Sequence, residues 1–364
     1  MRRKTAIIIT IYDPNHNLGN RLQNYATQSV LKKFNFSVNT LSFERSVLSG
    51  KQKIKAIAQR VSNYHLPGDK NYWCLFPKRV RNFKHFNKKY IKTYSIQKIS
   101  QIKAANFYIL GSDQVWNTAW YREGDMKKDL FLLTFARPEQ KICFAPSFSM
   151  DFLPEEWHEW FRENLRTFPS LNVREEAGQR IIKNLTGQDA EVLIDPTLML
   201  NRSDWMKIAK RLKKIDTDRP YILTYFLGRR SDRVNQTMHN LAKKYNCEVY
   251  NLMDMTQPEV YISGPSEFIY LISRAKLVLT DSFHACVFSF LFGKPFLVYA
   301  REGECNNMMS RMDTLLKKFG LERKYVDSGL PNDILECNYQ HGYEMLALER
   351  QKVIDYLKKA MHIE

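Results

Sequence analysis

The sequence is short of acidic residues, and its cysteines do not occur in the pairs that bind metals. Its 364 residues include 56 Lys and Arg but only 38 Asp and Glu, so the formal net charge is +18. The six cysteines are scattered without a Cys-x-x-Cys pair, which excludes a zinc ribbon and a disulfide framework. We therefore predict no metal site, a reducing cytoplasmic location and an acidic partner.

Long apolar runs are also lacking. No stretch approaches the roughly 18 uninterrupted apolar residues that indicate a transmembrane helix. The longest candidate, 287–299, is interrupted by Gly293, Lys294 and Pro295. The short apolar run near the amino terminus has no small-residue cleavage site and is typical of a first β-strand. Any membrane contact is therefore expected to be peripheral, at the inner face of the membrane.

The sequence does contain a repeated alternation of short apolar runs with helical segments. Residues 6–11 and 37–43 are typical of strands, and between them lies a glycine loop followed by an amphipathic segment. This order predicts a βαβ unit at the start of a doubly wound domain. Further strands are predicted near 107–110, 141–145, 171–173 and 192–194, each followed by polar residues at one edge of a sheet.

A polar connector that ends in Pro220 divides this pattern in two. The sequence therefore predicts an α/β protein with two Rossmann-like domains that face a cleft. The predicted divisions are a first domain at 1–200, a linker at 201–219, a second domain at 220–342 and a last helix at 343–364 that crosses back to the first domain.

A basic, aromatic segment interrupts the first domain as an insertion at about 46–104. Residues 51–103 contain 14 Lys or Arg and a single acid, Asp69, together with eight Tyr, Trp or Phe. This composition suits a surface that meets anionic lipid headgroups or phosphates. Nucleic acid would satisfy the same charges, but no nucleic-acid motif is present and none is expected to bind. A solvated helical excursion whose aromatic residues pack on the domain is the alternative.

His284 lies in the most informative segment of the chain. Residues 277–299 read as strand, tight polar turn, apolar helix and strand. The turn places Asp281, Ser282 and His284 at the carboxyl end of a buried strand and at the amino end of a helix, where open α/β sheets bind anions. Histidine is the residue type that exchanges a proton near neutral pH. A histidine that caps the helix or packs under a loop is the alternative interpretation.

Four motifs occur in order at domain-scale spacing. They are Gly111-Ser-Asp-Gln-Val-Trp-Asn117, Val173-Arg-Glu-Glu176, Asp195-Pro-Thr-Leu198 and Thr280-Asp-Ser-Phe-His284. Together they resemble the polysaccharide pyruvyl transferase family over nearly the whole chain. The resemblance implies two facing domains similar to the B-type glycosyltransferase fold. It also implies transfer of pyruvate from phosphoenolpyruvate, a co-substrate, onto a sugar as a ketal, with no further cofactor.

The same resemblance implies roles for particular residues. His284 is the expected acid, and Asp281 is expected to orient it or to take a proton from an attacking hydroxyl. Forked cations suit the phosphate and carboxylate of the donor. The expected donor-binding residues are Ser282, Arg301, Arg311, Arg229 and Arg174. The expected acceptor-binding residues are Asn17, Asn20, Gln23, Asp113, Gln114 and Trp116.

Two other functions remain open from the sequence. A nucleotide-sugar-dependent glycosyltransferase would share the predicted architecture. A non-enzymatic module, in which the basic segment recruits nucleic acid or membrane, is the third hypothesis. In the first hypothesis the sugar acceptor is carried by a lipid phosphate or a nucleotide, and the basic segment docks near it.

Overall fold

The structure is a computed structural model, which describes residues 3–12, 17–43, 70–121, 126–302, 309–326 and 329–363. The first part of the predicted basic insertion, 46–69, lies outside the described residues. The strands are Thr5–Ile9 (β1), Ser37–Phe43 (β2), Thr93–Ile96 (β3), Phe107–Leu110 (β4), Lys141–Cys143 (β5), Leu171–Val173 (β6), Ala190–Val192 (β7), Tyr221–Tyr225 (β8), Glu248–Asn251 (β9), Leu277–Thr280 (β10), Phe296–Tyr299 (β11) and Tyr325–Val326 (β12).

The described α-helices alternate with these strands. They are Leu18–Lys33 (α1), Lys70–Tyr90 (α2), Lys127–Leu130 (α3), His158–Leu165 (α4), Glu176–Thr186 (α5), Arg202–Met206 (α6), Asp232–Tyr245 (α7), Pro258–Tyr261 (α8), Pro265–Arg274 (α9), Phe283–Leu291 (α10), Ser310–Lys318 (α11) and Gln340–Ala360 (α12). No helix among them combines the length and the apolar character needed to cross a membrane.

Two five-stranded parallel sheets form the framework. The first has the order β3-β2-β1-β4-β5, and the second has the order β12-β11-β10-β8-β9. Each order reverses once, between β1 and β4 in the first sheet and between β10 and β8 in the second, as in doubly wound folds. This topology confirms the predicted α/β class with two Rossmann-like domains. Such folds bind ligands outside the carboxyl ends of the strands, next to the point of reversal.

The strands β6 and β7 depart from the sequence-based expectation. The sequence predicts that they extend the first sheet, but among the described strands they pair only with each other, in a separate two-stranded sheet. Three hydrogen bonds still tie this small sheet to the end of β5. The Ala145 amide donates to Asn172 Oδ1 at 2.7 Å, Asn172 Nδ2 donates to Cys143 O at 2.9 Å, and the Arg174 amide donates to Pro146 O at 3.0 Å. The polar residues after β6 therefore stay beside those after β5.

Helix α1 is buried along most of its length because it lies between the two halves. Its apolar residues, such as Leu22 and Ala26, belong to the largest core cluster, which also contains residues of α9 and α10. Its polar residues bond to the first sheet: Gln28 Nε2 donates to Thr40 Oγ1 at 2.9 Å, and Thr40 Oγ1 donates to Asn24 Oδ1 at 2.6 Å. One helix thus contributes to both halves of the molecule.

Two further helices connect the halves. Near the start of the long last helix, α12, Tyr343 Oη donates to Phe290 O at 3.0 Å. Near its end, Ser170 Oγ donates to Tyr356 Oη at 3.1 Å. Helix α2, at the end of the insertion, packs against the second half. There Asn82 Nδ2 donates to Ile262 O at 2.8 Å.

Candidate active site

The carboxyl edges of the two sheets meet at Gly19 and His284. Gly19 lies in the first turn of α1, after β1, and His284 lies in the first turn of α10, after β10. A Cβ atom at Gly19 would lie 2.0 Å from His284 Nδ1, so no side chain fits there. The imidazole is 6% exposed. His284 is therefore enclosed at the junction, against the backbone of the first domain.

A carboxylate of the first domain lies beside this ring. His284 Nε2 is 3.7 Å from Asp195 Oδ2, which is an ion-pair distance and longer than a hydrogen bond. Asp195 is fixed because its Oδ1 accepts from the amide of Thr197 at 2.9 Å and from Thr197 Oγ1 at 2.6 Å. Its Oδ2 accepts from Arg174 Nη1 at 2.5 Å. Asp195 thus holds a defined position next to the imidazole.

The charged contacts continue into the first domain. Arg174 Nη2 is 3.6 Å from Asp113 Oδ1, and Asp113 Oδ2 accepts from Asn20 Nδ2 at 2.9 Å. Asp113 has a φ of 80°, a left-handed conformation that is costly for a side chain other than glycine and is often found at functional sites. We call His284, Asp195, Arg174, Asp113 and Asn20 the interdomain network. All five side chains are buried.

Opposite charges in this network stabilise each other's ionised forms. Burial acts to raise the pKa of Asp195, but His284 and Arg174 outweigh it and hold that pKa well below its usual range. Asp113 behaves in the same way. Burial acts to raise its pKa, but Arg174, His284 and Arg311 have the larger effect, and the pKa lies below its usual value. For Arg174, burial lowers the pKa and the adjacent Asp195 and Asp113 raise it above its usual value. Both carboxylates and this guanidinium are therefore charged at neutral pH.

A second buried arginine is only partly compensated by Asp113 and Glu175. Arg311 in α11 is 6% exposed, and burial, followed by repulsion from Arg174, lowers its pKa to about 9. Arg174 and Arg311 lie near the ring of Phe283, with guanidinium carbons 4.7 and 5.8 Å from its centroid. No described residue gives a hydrogen-bond partner to Arg311 Nε or to Arg174 Nε and Nη2. Two cations with unpaired donors, which also line one pocket with Asp195, favour an anionic ligand.

Asp281 has other partners than the predicted one. Its carboxylate accepts from the amides of Leu227 at 2.7 Å and Gly228 at 2.8 Å, and Arg301 Nε donates to it at 3.2 Å. These bonds tie the turn after β8 to the turn after β10. The position beside His284, which the sequence analysis gave to Asp281, is occupied by Asp195.

The other predicted donor-binding residues lie on the same side of the second domain. Ser282 is 3% exposed and occupies the cap position of α10, without a side-chain bond to the helix. Arg301 adds a bond from Nη2 to Asp281 O at 3.2 Å. Arg229 is exposed, and its amide donates to Glu302 O at 3.3 Å. The structure thus brings Arg174, Arg311 and Ser282 near His284, whereas Arg229 stays at the surface.

The predicted acceptor-binding residues divide into two groups. Asn17 and Gln114 are partly exposed; Asn17 Oδ1 accepts from the Asn20 amide at 3.2 Å, as a helix cap does. Gln23 is fully buried and donates to Thr10 Oγ1 at 3.0 Å inside the first domain. Trp116 is also fully buried, and its Nε1 donates to Phe131 O at 2.8 Å. The prediction that Gln23 and Trp116 face a ligand is corrected here, because both side chains belong to the interior.

Two residues in the quoted motifs received no role from the sequence. Asp195 directly follows the predicted strand at 192–194, and it contacts both His284 and Arg174. Glu175 is fully buried, and its Oε1 accepts from Ser147 Oγ at 3.0 Å and from the amides of Phe148 and Ser149 at 2.8 and 3.0 Å. It thereby holds the loop after β5. Within the described ranges no group of His, Cys, Asp and Glu has the arrangement of a metal site.

The fold and site define a two-domain α/β protein with a histidine and paired arginines between its parallel sheets. A family model described as polysaccharide pyruvyl transferase matches residues 17–303. The chain therefore belongs to the polysaccharide pyruvyl transferase family and is a transferase. No protein of curated function matches its sequence significantly.

Solved structures with a similar fold share little sequence with the chain. UDP-GlcNAc 2-epimerase from Neisseria meningitidis is 12% identical with a TM-score of 0.45, and the match covers 99% of this chain and 94% of that one. MurG from Acinetobacter baumannii is 10% identical with a TM-score of 0.43, with 98% and 99% covered.

The contact between the halves predicts a specific effect of Gly19→Ala. In an ordinary helix this change raises stability by about 0.5–1 kcal/mol, but here the new methyl group would displace the His284 ring. We expect a lower Tm and loss of activity. Gly329→Ala, where a Cβ meets nothing within 4 Å, is the matched control. Thermal unfolding of both variants measures the effect, and a Gly19→Ala variant as stable as the wild type would contradict the observed packing.

Proposed function

We propose that this transferase moves pyruvate from phosphoenolpyruvate onto two hydroxyls of one sugar in the precursor of a surface or capsular polysaccharide, forming a ketal. Family membership supports the reaction class. The observation that supports the donor is the imidazole of His284 beside two buried arginines that have unpaired donors. Phosphoenolpyruvate carries a carboxylate and a phosphate, and these two anions suit two guanidinium groups.

The donor is assigned to the junction between α10 and α11. Arg174 and Arg311 bind its anionic groups, because each guanidinium is buried and has nitrogen atoms without a partner among the described residues. The amino end of α10, capped by Ser282, adds backbone N–H groups and a partial positive charge. The proposal directs the methylene carbon of the donor toward His284.

The proposed reaction needs one proton donor, His284, and one leaving group, phosphate. His284 gives a proton to the methylene carbon, so a C–H bond forms and C2 becomes an oxocarbenium centre. One sugar hydroxyl adds to C2 and returns its proton to the imidazole. The C2–O bond to phosphate then breaks, phosphate leaves, and the second hydroxyl adds to C2 while its proton goes to phosphate. The products are a ketal with a methyl group and one inorganic phosphate.

Asp195 is assigned the task of positioning His284. Thr197 and Arg174 hold its carboxylate, so its Oδ2 stays 3.7 Å from His284 Nε2. A fixed carboxylate next to an imidazole limits the rotation of the ring. Asp281, in contrast, holds the turns that support α10 through Leu227 and Gly228.

The acceptor is assigned to the edge of the first domain. Asn17 and Gln114 are partly exposed there, and Asp113 and Asn20 lie behind them in the interdomain network. Trp120 is 44% exposed and donates from Nε1 to Gln114 Oε1 at 3.1 Å, so it replaces Trp116 as the aromatic ring that a sugar meets. The sugar is carried by a lipid phosphate or a nucleotide, and the enzyme works in the cytoplasm at the inner membrane face.

Replacement of His284 tests the acid. We expect His284→Gln to reduce turnover by about 10²–10⁴-fold without unfolding the protein, because the removed proton transfer contributes this much in other enzymes. Acceptor-dependent phosphate release from phosphoenolpyruvate measures it. His239→Gln is the control, since His239 is exposed on α7. Wild-type turnover in His284→Gln would reject the proposed acid, and product formation from a nucleotide sugar without phosphoenolpyruvate would favour a glycosyltransferase.

Replacement of Arg311 tests the donor site. Phosphoenolpyruvate should raise the Tm of the wild type, because a ligand that binds only the folded state stabilises it. Arg311→Met removes a buried cation and should abolish this rise, although the protein stays folded. Arg323→Met, at an exposed arginine, should keep the full rise. An equal rise in all three proteins would place the donor elsewhere.

Replacement of Asp195 tests the positioning role. Asp195→Asn removes the negative charge that lies 3.7 Å from His284 Nε2, so we expect the pH–rate profile of turnover to change. Asp189→Asn, at a carboxylate whose side chain is 91% exposed, should leave the profile unchanged. A uniform fall in rate at every pH would indicate that Asp195 has only a structural role.

A further inference from the structure

Helix α2 has one buried face and one exposed face that carries five cations. Its 21 residues contain no Asp or Glu. On its buried face lie Leu75, Phe83 and Phe86, and on its exposed face lie Lys78, Arg81, Lys84, Lys88 and Lys89. Spacings of three and four residues put these cations on one side of a helix about 30 Å long. We call these five residues the basic face of α2.

The buried face fixes the direction in which the basic face points. Arg79 is 4% exposed, and its Nη1 donates to the carbonyl groups of Leu252, at 3.0 Å, and of Tyr261 in the second half. Asn82 Nδ2 donates to Ile262 O at 2.8 Å. The helix therefore cannot rotate about its axis without breaking buried hydrogen bonds. The cations stay directed to solvent.

Nothing described in the protein neutralises these charges. No acidic side chain in the described part of the chain forms an ion pair with any residue of the basic face. Five cations on one helix face without counter-charges among the described residues favour an extended anionic partner.

We infer that the basic face of α2 docks the enzyme onto a membrane surface of anionic lipid. This inference rests on the proposed function, in which a lipid-linked acceptor is present at that surface. The aromatic content favours lipid over nucleic acid. Trp73, which is 67% exposed, lies on the amino-terminal part of the same helix, and tryptophan is the side chain typical of the membrane interface. Because the apolar face of α2 is buried against the protein, the attraction between the basic face and anionic headgroups, together with the ring of Trp73, carries the contact with lipid.

Vesicle binding tests this inference. The full chain should sediment with phosphatidylcholine vesicles that contain about one third phosphatidylglycerol, and not with pure phosphatidylcholine. The triple variant Lys84→Gln, Lys88→Gln and Lys89→Gln should bind about 100-fold more weakly, since each cation near such a surface is worth about fivefold. The control carries Lys213→Gln, Lys243→Gln and Lys359→Gln, which are exposed elsewhere and change the net charge equally. It should lose little affinity.

Besides a failure of the full chain to bind anionic vesicles, two results would overturn the inference. One is equal loss in both triple variants, which would mean that overall charge and not this face attracts the vesicles. The other is tighter binding of duplex DNA than of anionic vesicles at the same salt concentration. Turnover on a water-soluble sugar acceptor separates this inference from the proposed function. Normal turnover without vesicle binding rejects the docking surface alone, and vesicle binding without turnover supports docking while rejecting the proposed reaction.

Discussion

The buried ion pair between Arg174 and Asp195 is the interaction on which the site depends. Two charges without contact to water are costly unless each has a close partner, and their loss of hydration is offset here by a 2.5 Å bond and by Thr197. The pair lies after β6 and β7, and from there Asp195 reaches His284 while Arg174 reaches Asp113. One ion pair therefore orients groups that belong to both domains.

Much of the fold follows from the sequence because its signals are local. Apolar β-branched runs such as Ile7–Ile9 form buried strands, and the glycine and polar residues after them form the loops at the carboxyl edge. The separate pairing of β6 with β7 was not predictable in the same way. Hydrogen-bond partners between strands depend on where the chain returns in space, and three-residue strands carry little information about register.

The site shows the same division between local and distant information. The position of His284 at the start of a helix after a buried strand could be read from the sequence, because strand, turn and helix are continuous in the chain. The pairing of Asp195 with His284 joins residues 89 positions apart, so no local pattern reveals it. Trp116 was misplaced for a related reason: a tryptophan beside polar residues suggests a sugar contact, but here its ring packs on Phe148, with centroids 5.0 Å apart.

The enclosure of the site has a consequence for how a ligand reaches it. His284 contacts Gly19 directly, and both arginines near Phe283 are buried. The proposed function therefore requires the two halves to separate locally before a donor enters. Helices α2 and α12 bridge the halves away from this point, through Arg79 and through the bonds of Tyr343 and Tyr356. Because the unpaired guanidinium nitrogens are costly without a partner, an anion that bonds to them stabilises the described arrangement of the two halves. In the proposed function, donor binding therefore favours the arrangement in which Asp195 of one half lies beside His284 of the other.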